Sequence, residues 1–135
     1  MTKVIIFSND NGGVSTCIPT GEISIEAVLA KDCPAGALIV EVSSLPNDDS
    51  DFYNAWELSN GAVSVNLTKA KALTKTRLRA EREPLFVAQD VLFQRAQETN
   101  ADTSAIVAEK IRLRNITLLA DPCTTTAELR ALKCQ

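Results

Sequence analysis

Hydrophobic positions along this chain change their period about halfway. Between Lys3 and Leu67 they fall in short runs and alternations: KVIIF (Lys3 to Phe7), VSTCI (Val14 to Ile18), LIVEV (Leu38 to Val42), and the two arms of NAWELSNGAVSVNL around Asn60-Gly61. Such runs, bounded by Asn, Asp, Gly and Pro, predict strands. From Thr68 onward Leu78, Leu85 and Leu92 recur at sevens. Ala88, Ala96, Phe86 and Phe93 widen that stripe, which predicts an amphipathic helix of bundle or coiled-coil type. The fold class expected is therefore α+β. Residues 1–67 form a small antiparallel or mixed sheet with one short helix, and residues 68–135 an antiparallel helical hairpin with a short terminal helix.

Local signals place the elements. SNDNGG between the first two runs supplies residues that tolerate positive φ, so a hairpin follows. Ser24 before IEAVLAKDCP is an N-cap, Glu26 lies in the first turn and Pro34 beyond the end, which marks a helix of about two turns. SSLPNDDSD reads as a loop. Asn60-Gly61 asks for a type I′ turn. Alternation then puts Trp56 and Leu58 on one side of the first arm, and Val63, Val65 and Leu67 on one side of the second. An indole so placed closes the core of a small sheet, or serves as a ligand platform.

In the second half, Thr68 is a candidate cap for the helix that starts KAKALTKTRLRAERE. Pro84 cannot donate to the carbonyl of Ala80, so a kink or a break is expected there. Lys71, Lys75, Arg79 and Arg82 are expected opposite the leucine stripe. TNADT ends the pattern, and Asp102 or Thr103 can cap a second helix, SAIVAEKIRLRNITLLA, with Val107, Ile111 and Leu118 on one side. Thr125 to Glu128 matches a capping box before LRALK, where Leu129 and Leu132 can pack back onto the hairpin.

Charge is uneven. Residues 1–66 carry two lysines against nine acids, a net of −7, and residues 67–135 carry twelve Lys and Arg against eight acids, a net of +4. That asymmetry suits two subdomains with different surfaces, and head-to-tail contact between copies. The basic run from Thr68 to Arg82 has no aromatic residues to stack bases, and Glu81 and Glu83 interrupt it. With the whole chain at a net −3, no nucleic-acid partner is expected.

Candidate chemistry is sparse. The chain has no histidine, which excludes Ser-His and Cys-His nucleophiles and imidazole metal sites. NDNGG lacks the Lys-Ser/Thr of a P-loop. Asp48, Asp49 and Asp51 cluster in one loop without the glycine and terminal Glu of an EF-hand. Cys17, Cys33, Cys123 and Cys134 show no CxxC spacing and read as buried or idle thiols. The apolar run at the N-terminus is too short for a signal-peptide core or a membrane span, so no membrane partner and a cytoplasmic site of synthesis are expected. No enzyme activity, metal or cofactor is expected.

The order of segments resembles small accessory proteins from the tail and tail-fibre region of tailed bacteriophages and prophages. What carries the resemblance is the Trp-containing hairpin AWELSNGAVSVNL, then Arg79, Arg82, Pro84 and Leu85, then Asp90, then Leu113 to Thr117 and the terminal TTTAELRAL. Related sequences are expected to have Asp where this chain has Asn115. The resemblance implies a non-enzymatic part of the phage particle, or a factor that assembles it, with tail or tail-fibre proteins as partners. Expected locations are the virion and, during assembly, the host cytoplasm. Weak candidate partner contacts are Arg79, Arg82 and Arg95, self-association is expected, and Asp90 with Arg114 is a candidate ion pair across the hairpin. The leucine stripe is compatible with packing within one chain or between chains.

Overall fold

A computed structural model describes residues 2–135. The chain is α+β, and it divides into two compact units, Met1–Ala70 and Lys71–Gln135.

In the first unit, β1 (Lys3–Ser8) is the central strand of a three-stranded antiparallel sheet, flanked by β2 (Val14–Cys17) and β3 (Leu38–Glu41). Being central, β1 buries Val4, Ile5 and Ile6 in succession, so both of its faces are covered. Val4 and Ile6 share one face, where they pack with Val14 and Trp56. Ile5 points the other way, in register with Cys17 and Ile39. Helix α1 (Ile25–Asp32) packs against β1 and β3, and Ser24 Oγ accepts from the Ala27 amide at its start. The loop before β2 is pinned by Asn9, whose Oδ1 accepts from the amides of Asn11 and Gly13.

The segment expected as the loop SSLPNDDSD is more ordered than that. Val42–Ser44 and Asn47–Ala55 form 3-10 turns that carry the chain to β4 (Trp56–Ser59). β4 pairs with β5 (Ala62–Val65), with Trp56 opposite Val65 and Leu58 opposite Val63. Asn60 and Gly61 both take positive φ, at 53° and 79°, as a type I′ turn requires. Trp56 is 4% exposed and its Nε1 donates to the Asp49 carbonyl, so the indole is core.

Two expectations at the strand-to-helix junction are corrected. Leu67 does not extend β5, and Thr68 does not cap the helix. Asn66 takes the cap: its carbonyl accepts from Ala70 and its Oδ1 from the Lys69 amide. Its Nδ2 also donates to Glu57, which Lys69 meets at 2.9 Å. These contacts hold the Glu57 carboxyl below the usual range, the Lys69 hydrogen bond first and Asn66 second.

Helix α2 (Leu67–Glu98), which belongs to the second unit from Lys71 onward, runs without a break through Pro84, which sits exposed inside it. It ends in a Schellman motif. Asn100 takes φ 55°, the Ala101 amide donates to Ala96 and the Asn100 amide to Gln97. Helix α3 (Ser104–Asn115) returns antiparallel and tightens into a 3-10 turn, Ile116–Ala120. Asp102 accepts from the Ser104 amide at its start. Helix α4 (Thr126–Ala131) is capped by Thr125, which accepts from the Glu128 amide. Leu78, Leu113, Ile116 and Cys134 make the core, with Leu85, Phe86 and Leu132 packed against it.

Candidate interaction surface

The basic run of α2 has a structural use that the sequence reading missed. Lys71, Lys75 and Arg82 are spaced by four and seven residues around Leu78, which puts them on its flanks rather than opposite it. Each reaches a neighbouring element. Arg82 donates through one nitrogen to the carbonyls of Leu113 and Arg114, at 3.1 and 3.0 Å, and lies over the Phe86 ring. Lys71 donates to the Asp121 carbonyl, and Lys75 pairs with the Asp121 carboxylate at 2.6 Å. Arg77 donates to the carbonyls of Leu129 and Leu132 and pairs with Glu81.

The electrostatics follow from helix ends. The last carbonyls of a helix have no intrahelical partner and carry partial negative charge, so a cation there is stabilising. Arg82 serves the end of α3 and Arg77 the end of α4. Arg112, on α3, donates to the Cys134 carbonyl and is oriented by Glu109. Of the four basic residues expected to face away from the stripe, Arg79 alone is exposed without such a role.

Arg95 is exposed near the end of α2. Asp90 pairs with Lys110 at 2.5 Å, not with Arg114, and Lys110 also lies over the Phe93 ring. Lys110 is one turn before Arg114 on α3, and it is the residue whose height on the helix matches Asp90. The Arg114 side chain is exposed while its carbonyl serves Arg82. Asp48, Asp49 and Asp51 lie in the 3-10 segment rather than in an open loop. Among the described residues no group of three or more Cys, Asp or Glu is placed to hold a metal ion, and no helix is long and apolar enough to cross a membrane.

Exposed large apolar side chains occur in both units, at Ile18, Ile23, Leu38 and Tyr53 in the first and at Leu118 and Leu119 after α3, and five of them, Val87, Val91, Leu92, Val107 and Ile111, group in the far half of the hairpin. Beyond Phe86, α2 buries Ala96 only, while Val87, Val91 and Leu92 are 57, 41 and 45% exposed. On α3 the side expected to pack is the wrong one. Val107, Ile111 and Leu118 are exposed, and Leu113 and Ile116 go inward. Both stripes are apolar, so periodicity did not distinguish them. A two-helix layer without a third element cannot cover both sides of itself.

Two clefts remain. One, in the first unit, is lined by Asn9, Asn11, Gly13, Val14, Tyr53 and Asn54. Tyr53 donates to the Val14 carbonyl beside it and its ring meets Trp56 at 4.9 Å. The other, in the second unit, is lined by Glu81, Leu85, Lys133, Cys134 and Gln135. Burial pushes the Cys134 thiol up, with Glu81 adding to it, and the thiol donates to the Leu78 carbonyl.

No protein-family model matches the chain, and no curated protein or solved structure matches it either.

Proposed function

We propose that this chain is a bacteriophage virion-associated adaptor of the tail or tail-fibre region, which works through protein contacts rather than chemistry. The observation that carries the docking part is the exposed apolar far half of the helical hairpin: Val87, Val91 and Leu92 on α2, Val107 and Ile111 on α3. Exposed aliphatic residues grouped on rigid helices, rimmed by charges such as Arg95, suit a protein partner. The tail assignment rests on the resemblance of most of the chain, most specific from Trp56 onward, to accessory proteins of that region. The occupant proposed for the hairpin is a tail or tail-fibre protein.

Mass spectrometry of purified particles, with copies counted against a known tail protein, tests the assignment. A small copy number matched to the tail's symmetry is the expected result. Absence from particles, together with a stoichiometric complex with unassembled fibre protein, would replace it by an assembly chaperone; a host protein as the sole partner would replace it by an inhibitor. Val91→Glu with Leu92→Glu tests the docking surface, and loss of the chain from particles is expected while its circular dichroism is unchanged.

A further inference from the structure

The four cysteines fall into two kinds. Cys123 and Cys134 are buried, and each thiol donates to a main-chain carbonyl, of Leu119 and Leu78 respectively. Thiols of that kind are satisfied and screened from reagents. Cys17 and Cys33 are only half-buried, and both belong to the first unit.

These two are neighbours in space, the Cys33 thiol being hydrogen-bonded to the Cys17 side chain. Cys17 is opposite Ile5 in the β1–β2 register, so its side chain shares the face of Ile5. That face is the one away from Val4, Ile6 and Trp56, and α1, which Cys33 follows, packs against β1 and β3. Cys33 is the C-cap of α1, in extended backbone. The two thiols sense each other: desolvation raises Cys33 first, and Cys17 adds to the rise.

We propose that Cys17 and Cys33 are a redox pair that closes to an intrachain disulfide when the chain meets a small disulfide oxidant of the glutathione class. One protein thiolate attacks a sulfur of the oxidised glutathione, forms a mixed disulfide and releases one glutathione thiol. The second protein thiolate then attacks the sulfur of the first, closes the protein disulfide and expels the second glutathione thiol. Two protein thiols are oxidised and one glutathione disulfide is reduced, with the protons ending on the two glutathione molecules. The bond would tie the end of β2 to the end of α1. It closes a loop of sixteen residues, read from positions 17 and 33, and so restrains the unfolded chain more than the folded one. The pairing stands apart from the tail reading and survives its failure.

The chain itself suits the test. Trypsin cuts after Lys3, Lys31 and Lys69, which leaves Cys17 and Cys33 on separate peptides. Full-length protein is incubated with oxidised glutathione, alkylated without denaturant, digested and mapped. The expected product is the peptide of residues 4–31 joined to that of residues 32–69, with a mass loss of two hydrogens and Cys123 and Cys134 unlinked. Oxidised protein is expected to unfold with an equilibrium constant about a hundredfold lower than reduced protein, a difference absent from Cys17→Ser and Cys33→Ser. Stable glutathione adducts without the cross-link, a link that includes Cys123 or Cys134, or covalent dimers as the main product would each overturn the pairing.

Discussion

The near and far halves of α2 within the second unit have similar apolar content and opposite fates. Between Lys71 and Phe86 the helix is covered on two sides, by the end of α3 and by α4 with the segment after it, and Leu78 is fully buried. Between Val87 and Glu98 it meets α3 through Asp90, Phe93 and Lys110. Leu78 and Leu92 hold equivalent places in one heptad-like stripe, yet one is 0% and the other 45% exposed. A hydrophobic repeat tells where a helix is able to be covered. What covers it depends on how far the third element reaches.

The largest test of that difference pairs two identical truncations. Leu78→Ala is expected to cost about 2–5 kcal/mol in chemical denaturation, because it leaves a cavity in a packed core. Leu92→Ala is expected to cost under about 1 kcal/mol. Equal losses would mean that the far half is covered as well as the near half. At the boundary between the halves, Pro84→Ala is expected to stabilise by about 1–3 kcal/mol, since it restores a donor for Ala80 and touches no buried group. A drop in melting temperature on this change would show that the proline holds packing that its exposure does not suggest.

Cations provide a third contrast. Arg82→Ala removes two hydrogen bonds to the end of α3 and the contact over Phe86, and is expected to cost about 1–2 kcal/mol. Arg95→Ala, in the far half, is expected to stay within about 0.5 kcal/mol. The same alanine change is then expected to spare stability at Arg95 and, on the proposed tail reading, to weaken particle incorporation there, with the reverse emphasis at Arg82.

How much of this was legible depends on whether the determining group is in the local sequence. The Asn60-Gly61 turn was, because positive φ at two successive positions has few solutions in residue type. So were the caps at Ser24 and Thr125, and the antiparallel hairpin. At the start of α2 Thr68 was read as the cap, but the capping oxygen is that of Asn66, two residues earlier, whose amide also reaches Glu57. The role of Lys71, Arg77 and Arg82 was not legible, since their partners are main-chain carbonyls at helix ends distant in sequence, and every residue type has a carbonyl. Asp90 was read as an ion-pair residue, and it is one; its partner was misplaced by one helical turn. The packed side of α3 went unread because Val107-Ile111 and Leu113-Ile116 are equally apolar.

The smallest effect expected comes from acid. Asp102 accepts from the hydroxyl and amide of Ser104, and these bonds hold its carboxyl below the usual range; Glu109 is held low by its hydrogen bond to Arg112. A carboxylate with a lowered folded value binds protons more weakly folded than unfolded. Its contribution is therefore fully present above the ordinary values, about 3.9 for Asp and 4.3 for Glu, and is lost as pH falls through the lower folded values. Asp102 sits at the start of α3, in the far half of the hairpin, and Glu109 orients the arginine that serves Cys134. Hydrogen exchange of amides in residues 87–108, followed from about pH 5 downward, is expected to accelerate beyond the intrinsic trend before amides around Leu78 do so. Asp102→Asn should remove that difference at the hairpin tip and leave the near half unchanged. Should both halves open together at one pH, the hairpin would be a single cooperative block, and the thin far end would owe its stability to the covered near end.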